Sequence, residues 1–345
     1  DFTRSTAATR VNNNGEIELM NSNIPRLDYT DGSGSILLEP ESTNLIQYSE
    51  DFSQSYWEGQ ITRTAGFLDP TGNSGAYLIT KDIDTYIATD SISISDLTEY
   101  TASVYLKAKT PTTVTFKLQE LGGDFTNYFS SSIQLTNEWV RYEITGEKEV
   151  DGNNARVVIV NSNDEEEFYM YGVQLELGVS TSYIPNNGTL LGETREKETL
   201  EKDGLGDYIN SSEGVLYVEM KALVDDDNYK VVEFNENSSG SKRIALGFKG
   251  DEAIFYYNDG TPSQLERYNT DVFSYNKFAL KYDSQNVKFY LNGVLVDTFT
   301  HQLNIDFNTF ESDRYATDTF YGHIKDLQVY KTALTDEELT QLTTI

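Results

Sequence analysis

The sequence predicts an all-β fold, with two antiparallel β-sandwiches in tandem behind an extended N-terminal arm. Three observations carry that expectation. Short apolar runs alternate with polar residues at the period of two that marks a half-buried strand, and they do so along most of the 345 residues. Aromatic residues make up 12%, with 24 Tyr and 17 Phe, a bias toward side chains that suit a pleated, partly buried surface. The length fits about two domains, and the strands fall into two sets, each with its own closing strand.

Residues 1–43 hold short apolar pieces separated by turn-prone stretches, Asn12-Asn13-Asn14-Gly15 and Asp31-Gly32-Ser33-Gly34. These argue against a core helix and for an extended arm. From Asn44 onward strand signals are dense. Residues 100–108 alternate, Pro111 breaks the run because it has no N–H for a ladder, and residues 114–118 resume it. Residues 139–144 and 155–160 continue the pattern as successive hairpins, and residues 168–177 close the first set.

The mixed-charge stretch from Gly192 to Asp203 reads, on spacing alone, as a short helical linker with i,i+4 ion pairs. A second set of strands follows at residues 215–220, 230–234, 243–248 and 253–257. In residues 287–291, Val287, Phe289 and Leu291 share one face and Lys288 and Tyr290 the other. Asn292-Gly293 then supplies the two positive-φ positions of a type I′ turn, and Val294-Leu295-Val296 returns as the partner strand. Thr335 ahead of Asp336, Glu337 and Glu338 forms a capping box for one C-terminal helix carrying Leu339 and Leu342.

The hairpin at 287–299, the strand Gly322 to Tyr330 and the tail Ala333 to Leu339 resemble the end of a laminin G-like, concanavalin A-like lectin domain. The likeness covers roughly residues 192–345 and implies that 192–203 is an edge-like first strand of the second sandwich. Asn44-Leu45-Ile46 with Tyr48-Ser49-Glu50-Asp51-Phe52, and Tyr171-Gly172-Val173-Gln174-Leu175-Glu176, are similar to the two ends of jelly-roll carbohydrate-binding modules, which gives a first domain at 44–191. In that family the last strand often carries paired Asp residues around a structural calcium. Tyr171 and Gly172 stand at those positions here, leaving Glu50, Asp51 and Glu176 as candidate oxygen ligands. The passage from Phe2-Thr3-Arg4 through Pro25-Arg26-Leu27-Asp28-Tyr29 to Leu37-Leu38-Glu39-Pro40 resembles the opening segment of bacteriophage tail, fibre and other virion-surface proteins. That likeness implies an extracellular, virion-surface setting, with other virion proteins met through the arm. A homo-oligomer, with a trimer favoured, is expected because fibres gain avidity by repeating weak sites.

Composition narrows the partners. The 26 Lys and Arg against 56 Asp and Glu give a formal charge of -30, so the averaged field repels nucleic-acid backbones and anionic headgroups. Cysteine is absent, which removes disulfides and thiol catalysis. No apolar run approaches the roughly 18 residues of a membrane span, so membrane insertion is not expected.

No catalytic constellation emerges. A glycosidase needs two carboxylates placed across a sugar bond. Glu16 with Glu18 lacks a third acid to alternate, Glu233 with Glu236 has the wrong parity, and Glu165 to Glu167 is a continuous charge run. His301 and His323 are the only imidazoles and read as structural. Aromatic rings suit the apolar face of a pyranose better, and the candidates are Tyr256, Tyr257, Tyr268 and Tyr315 in the second domain, with Trp57, Tyr86 and Tyr128 in the first. Most of the 24 Tyr must pack within sheets, so the group is supported more than any member. Asp225, Asp226 and Asp227 add a weak calcium candidate that also reads as a solvated turn. The expected function is non-catalytic recognition of a host cell-surface polysaccharide. A polysaccharide-degrading enzyme on the concanavalin A-like fold and a purely structural virion protein are the alternatives.

Overall fold

The structure, a computed structural model, describes residues 1–82, 85–95, 97–121, 125–148, 154–161, 167–237, 242–260, 263–313 and 319–345. The chain is nearly all antiparallel sheet and divides into two compact units. The C-terminal unit gathers Asp1–Ser5, Ser22–Pro40 and Lys197–Ile345, and the central unit gathers Thr6–Asn21 and Glu41–Glu196.

Residues 1–43 are therefore not an extended arm. Phe2–Thr3 pairs with Thr199–Lys202, and Arg26–Asp28 pairs with Ser35–Leu38, which in turn pairs with Gly322–Tyr330. In the central unit, Ala8–Val11 and Ile17–Met20 form a hairpin. The polar breaks that suggested an arm are the turns between these strands, and the ladders satisfy backbone groups that an arm would leave to water. The charged stretch after Gly192 likewise splits. Glu193–Arg195 pairs with Ser42–Asn44 in the central unit, while Thr199–Lys202 joins the C-terminal unit beside Thr309–Glu311.

The central unit packs two sheets. One runs in the order Asn127–Gln134, Thr113–Glu120, Asn154–Asn161, Tyr86–Thr89, Trp57–Glu58, and the other Val140–Glu147, Glu99–Ala108, Glu167–Leu177, Ala76–Thr80, Thr62–Phe67. Glu99–Ala108 and Thr113–Glu120 are consecutive in sequence but lie in opposite sheets, so the Pro111 break marks a crossing and not a hairpin. Inward residues Ala102, Val104 and Leu106 meet Val114, Phe116 and Leu118 in one core.

The C-terminal unit pairs two seven-stranded sheets. The first is ordered Phe2–Thr3, Thr199–Lys202, Thr309–Glu311, Lys230–Asn235, Arg243–Lys249, Glu252–Asn258, Gln264–Asn269. The second is ordered Val294–Phe299, Val287–Leu291, Asn276–Tyr282, Gly214–Ala222, Gly322–Tyr330, Ser35–Leu38, Arg26–Asp28. Leu216, Val218 and Met220 alternate inward against Val232, Phe234, Leu246 and Phe255. Asn292 and Gly293 have φ of 51° and 84°, as the I′ hairpin requires. Thr335 caps the helix Asp336–Thr343 with both halves of the capping box, and Leu339 seats it on Val215, Tyr217, Ala279 and Tyr290, over part of the second sheet's outer face.

Candidate functional site

Strand parity builds the site. In the first sheet of the C-terminal unit, Val232, Phe234, Ile244, Leu246, Ala253 and Phe255 point into the core. Their neighbours Val231, Glu233, Arg243, Ala245, Ile254 and Tyr256 therefore lie on the opposite face. There they line a groove of about 160 Å³ with Tyr229 and Leu265. Val231, Ala245 and Ile254 are small or flat enough to leave a shallow apolar floor, while Tyr229, Tyr256, Glu233 and Arg243 supply the polar groups.

The electrostatics are local and paired. Arg243 Nε lies 3.0 Å from Glu233 Oε1. That contact is ionic, because the N–H is not directed along a hydrogen-bond axis. The same guanidinium sits 4.8 Å over the Tyr256 ring. The guanidinium thus covers one face of the ring, and the Arg243 terminal nitrogens have no protein partner among the described residues. Tyr229 carries the Lys249 ammonium 4.7 Å from its ring and accepts from Arg267 at 3.3 Å. Three cations therefore gather around the groove of a chain whose formal charge is -30.

A second carboxylate stands nearby. Glu311 is the direct cross-strand partner of Glu233, a position that puts Cβ atoms about 5 Å apart. It is 4% exposed, accepts from Asn235 at 2.6 Å, and does not line the groove. Glu236 is drawn away to Lys242 at 3.2 Å, Glu18 is paired with Arg10 at 2.7 Å, and Glu167 binds Lys109. Glu165 and Glu166 lie outside the described residues.

Of the expected aromatic residues, the groove takes only Tyr256. Tyr257 has the inward parity and is buried, stacked on His301 with centroids 5.6 Å apart. His301 is held by Asp259 at 2.7 Å, and His323 meets Ser35 at 2.8 Å. Tyr268 packs edge-on against Phe255, with its hydroxyl 3.4 Å from Asp297. Tyr315 lies outside the described residues. Trp57 is a core residue against Phe52, its indole donating to Tyr48 O at 2.9 Å. Tyr86 is half-buried beneath Arg156, and Tyr128 packs on the core with Lys148 5.8 Å from its ring. Phe67 and Trp139, also half-buried, are both set against Tyr169 at 5.1 and 6.4 Å. Tyr229 and Arg243 escaped the sequence reading, and Glu233 entered it only as a catalytic carboxylate, although the parity of the strands that carry Glu233 and Arg243 held the signal.

The calcium candidates do not converge. Glu50 accepts hydrogen bonds from Tyr171 at 2.8 Å and Tyr183 at 3.1 Å. Burial works to raise the Asp51 carboxyl, but donors from Gln54, Ser53 and Tyr77 hold it down at about 2. Glu176 is buried among Ser42, Gln174 and Thr181, and its desolvation raises its pKa. Asp226 pairs with Lys230, while Asp225 and Asp227 are exposed. Among the described residues, no three His, Asp or Glu side chains are grouped to hold a metal.

Residues 214–340 match the family model described as the concanavalin A-like lectin/glucanases superfamily, and the sandwich of this unit has that fold. The comparison with curated proteins returns no match. Among solved structures, the chain is similar to the CBM40 domain of the Ruminococcus gnavus IT-sialidase, at 19% identity over 42% of this chain and 92% of that one, with a TM-score of 0.36. Domain 4 of AbnA, a GH43 extracellular arabinanase of Geobacillus stearothermophilus, aligns at 19% identity over 48% and 82%, with a TM-score of 0.36. The enzymatically active domain of tailspike protein 4 of bacteriophage CBA120 aligns at 14% identity over 39% and 21%, with a TM-score of 0.32.

Proposed function

We propose that the chain is a glycan-binding protein whose C-terminal unit holds a saccharide in the groove of Tyr256, Arg243, Glu233 and Tyr229. One observation carries the reading: within a concanavalin A-like sandwich, a guanidinium with unused donors, stacked over a tyrosine ring, stands beside a carboxylate above an apolar floor. A pyranose offers an apolar face to such a surface and hydroxyls to such donors and acceptors. The Asp336–Thr343 helix occupies part of the other sheet's outer face, which favours the first sheet as the binding face. The finer proposal, a virion-surface adhesin that recognises a host polysaccharide as a repeated copy, rests on the likeness of the opening segment to phage proteins. With residues 1–43 built into sheets, any virion contact falls on folded surface and not on a free arm.

Binding without turnover is the preferred chemistry, since Glu233 is tied to Arg243 and no other carboxylate among the described residues lines the groove. The cross-strand Glu233 and Glu311 pair is the one observation that favours a hydrolase. A glycan array probed with the full chain tests the first reading: discrete saccharide signals are expected, and an array without signal contradicts it. Reducing-end release from the same saccharides tests the second, with none expected. Release abolished by Glu233→Gln and by Glu311→Gln would establish the hydrolase instead.

A further inference from the structure

A second groove, of about 460 Å³, lies wholly within the central unit, between the hairpin Ala8–Val11 and Ile17–Met20 and the segment around Tyr183 to Asn187. Its central acid is Glu50. Both phenols that touch it, Tyr171 and Tyr183, bond the same oxygen, Oε1. They are 5% and 1% exposed. Burial first, and the Glu50 charge with it, pushes their ionisation upward, so they remain donors and Glu50 remains an acceptor. Oε2 has no protein donor, and no cation pairs with Glu50 among the described residues. Glu18, on the hairpin wall, differs in having Arg10 at 2.7 Å.

Asn73 donates one amide N–H to Thr71 at 2.8 Å, which leaves its carbonyl oxygen and its second N–H for the groove. The Asn187 side chain makes no hydrogen bond to the described residues. Leu19 and Pro185 add apolar contact at the wall. The groove thus centres on one carboxylate that no cation pairs with among the described residues, an environment that repels carboxylates and phosphates and rewards a cation rich in N–H groups.

We infer that this groove binds a small ligand bearing a primary ammonium group on a hydroxylated body the size of one sugar ring, with the ammonium on Glu50. The site does not rest on the groove of the C-terminal unit, and the two fail independently. Calorimetric titration of the full chain with D-glucosamine, N-acetyl-D-glucosamine and D-glucose tests it, because the three share a ring and differ in the charged amine. Glucosamine is expected to bind about tenfold more tightly than the other two. Glu50→Gln, which keeps an acceptor for the phenols, should remove that preference. Leu19→Lys, at a position 61% exposed, should weaken glucosamine by placing a tethered ammonium at the mouth, and it decides the matter where Glu50→Gln fails to fold. Absent glucosamine binding, equal affinity for all three sugars, or a glucosamine preference that persists in the folded variants overturns the assignment.

Discussion

The two units fix their returning terminal segments with opposite chemistry. In the C-terminal unit the anchor is ionic and dry: Glu198 takes Arg4 at 2.5 Å and Arg26 at 2.8 Å, and Arg26 reaches Glu39 at 2.7 Å, with all four side chains at most 3% exposed. Burial opposes the Arg26 charge, but Glu39 and Glu198 outweigh it and raise its pKa. In the central unit the main anchor is a neutral amide. Asn44 donates to Val173 O and Ile184 O and accepts from Ile46 N and Leu175 N. A charged anchor concentrates its cost in one lost partner, whereas an amide spreads it over four backbone groups.

Removing one charge should therefore do the most damage. Arg26→Met leaves Glu39 and Glu198 buried and is expected to cost about 3–5 kcal/mol, read by urea unfolding as an earlier transition of the C-terminal unit alone. Undiminished stability would show that the ion network is not an anchor. Asn44→Ala should cost about 2–3 kcal/mol by stranding buried backbone groups, with the earlier transition now in the central unit. A shift of both units together in either variant would break the comparison.

Smaller effects sharpen it. Thr335→Ala removes the helix cap and should cost about 1 kcal/mol, again confined to the C-terminal unit. His323 supplies a pH dependence there. Burial first, then Lys221, lowers its pKa from the ordinary 6.5, against Asp28, Asp31 and Glu39. The unfolded chain thus takes up a proton more readily, so His323 favours folding fully above about pH 6.5 and loses that contribution as pH falls below it. Thermal melts of wild type and His323→Gln at pH 7.5 and 5.5 should show a larger acid loss in the wild type, and equal losses would remove His323 as the cause.

Alternation made most of the fold legible. The Asn292-Gly293 hairpin and the Thr335 capping box are local rules, and they fold as local rules dictate. The opening residues misled because Arg4, Arg26 and Glu39 look like surface charges until Glu198, distant in sequence, closes a buried network around them. Glu198 itself sat in a run that read as a short helical linker on spacing and as an edge-like strand by resemblance. The groove was half legible: Tyr256 was picked out as an aromatic, but Tyr257 beside it was not separable without deciding which parity faced the core. Arg243 and Glu233 become a site only when neighbouring strands bring them side by side.

The central claim is that Tyr256 and Arg243 form the saccharide surface. It is tested most directly by titrating an array-positive saccharide into wild type and Tyr256→Ala at low and high salt. Loss of the ring should weaken binding by about 1 kcal/mol, roughly fivefold, with little effect of salt on the wild type. Unchanged affinity in the folded variant, or wild-type binding that disappears with added salt, would contradict the account.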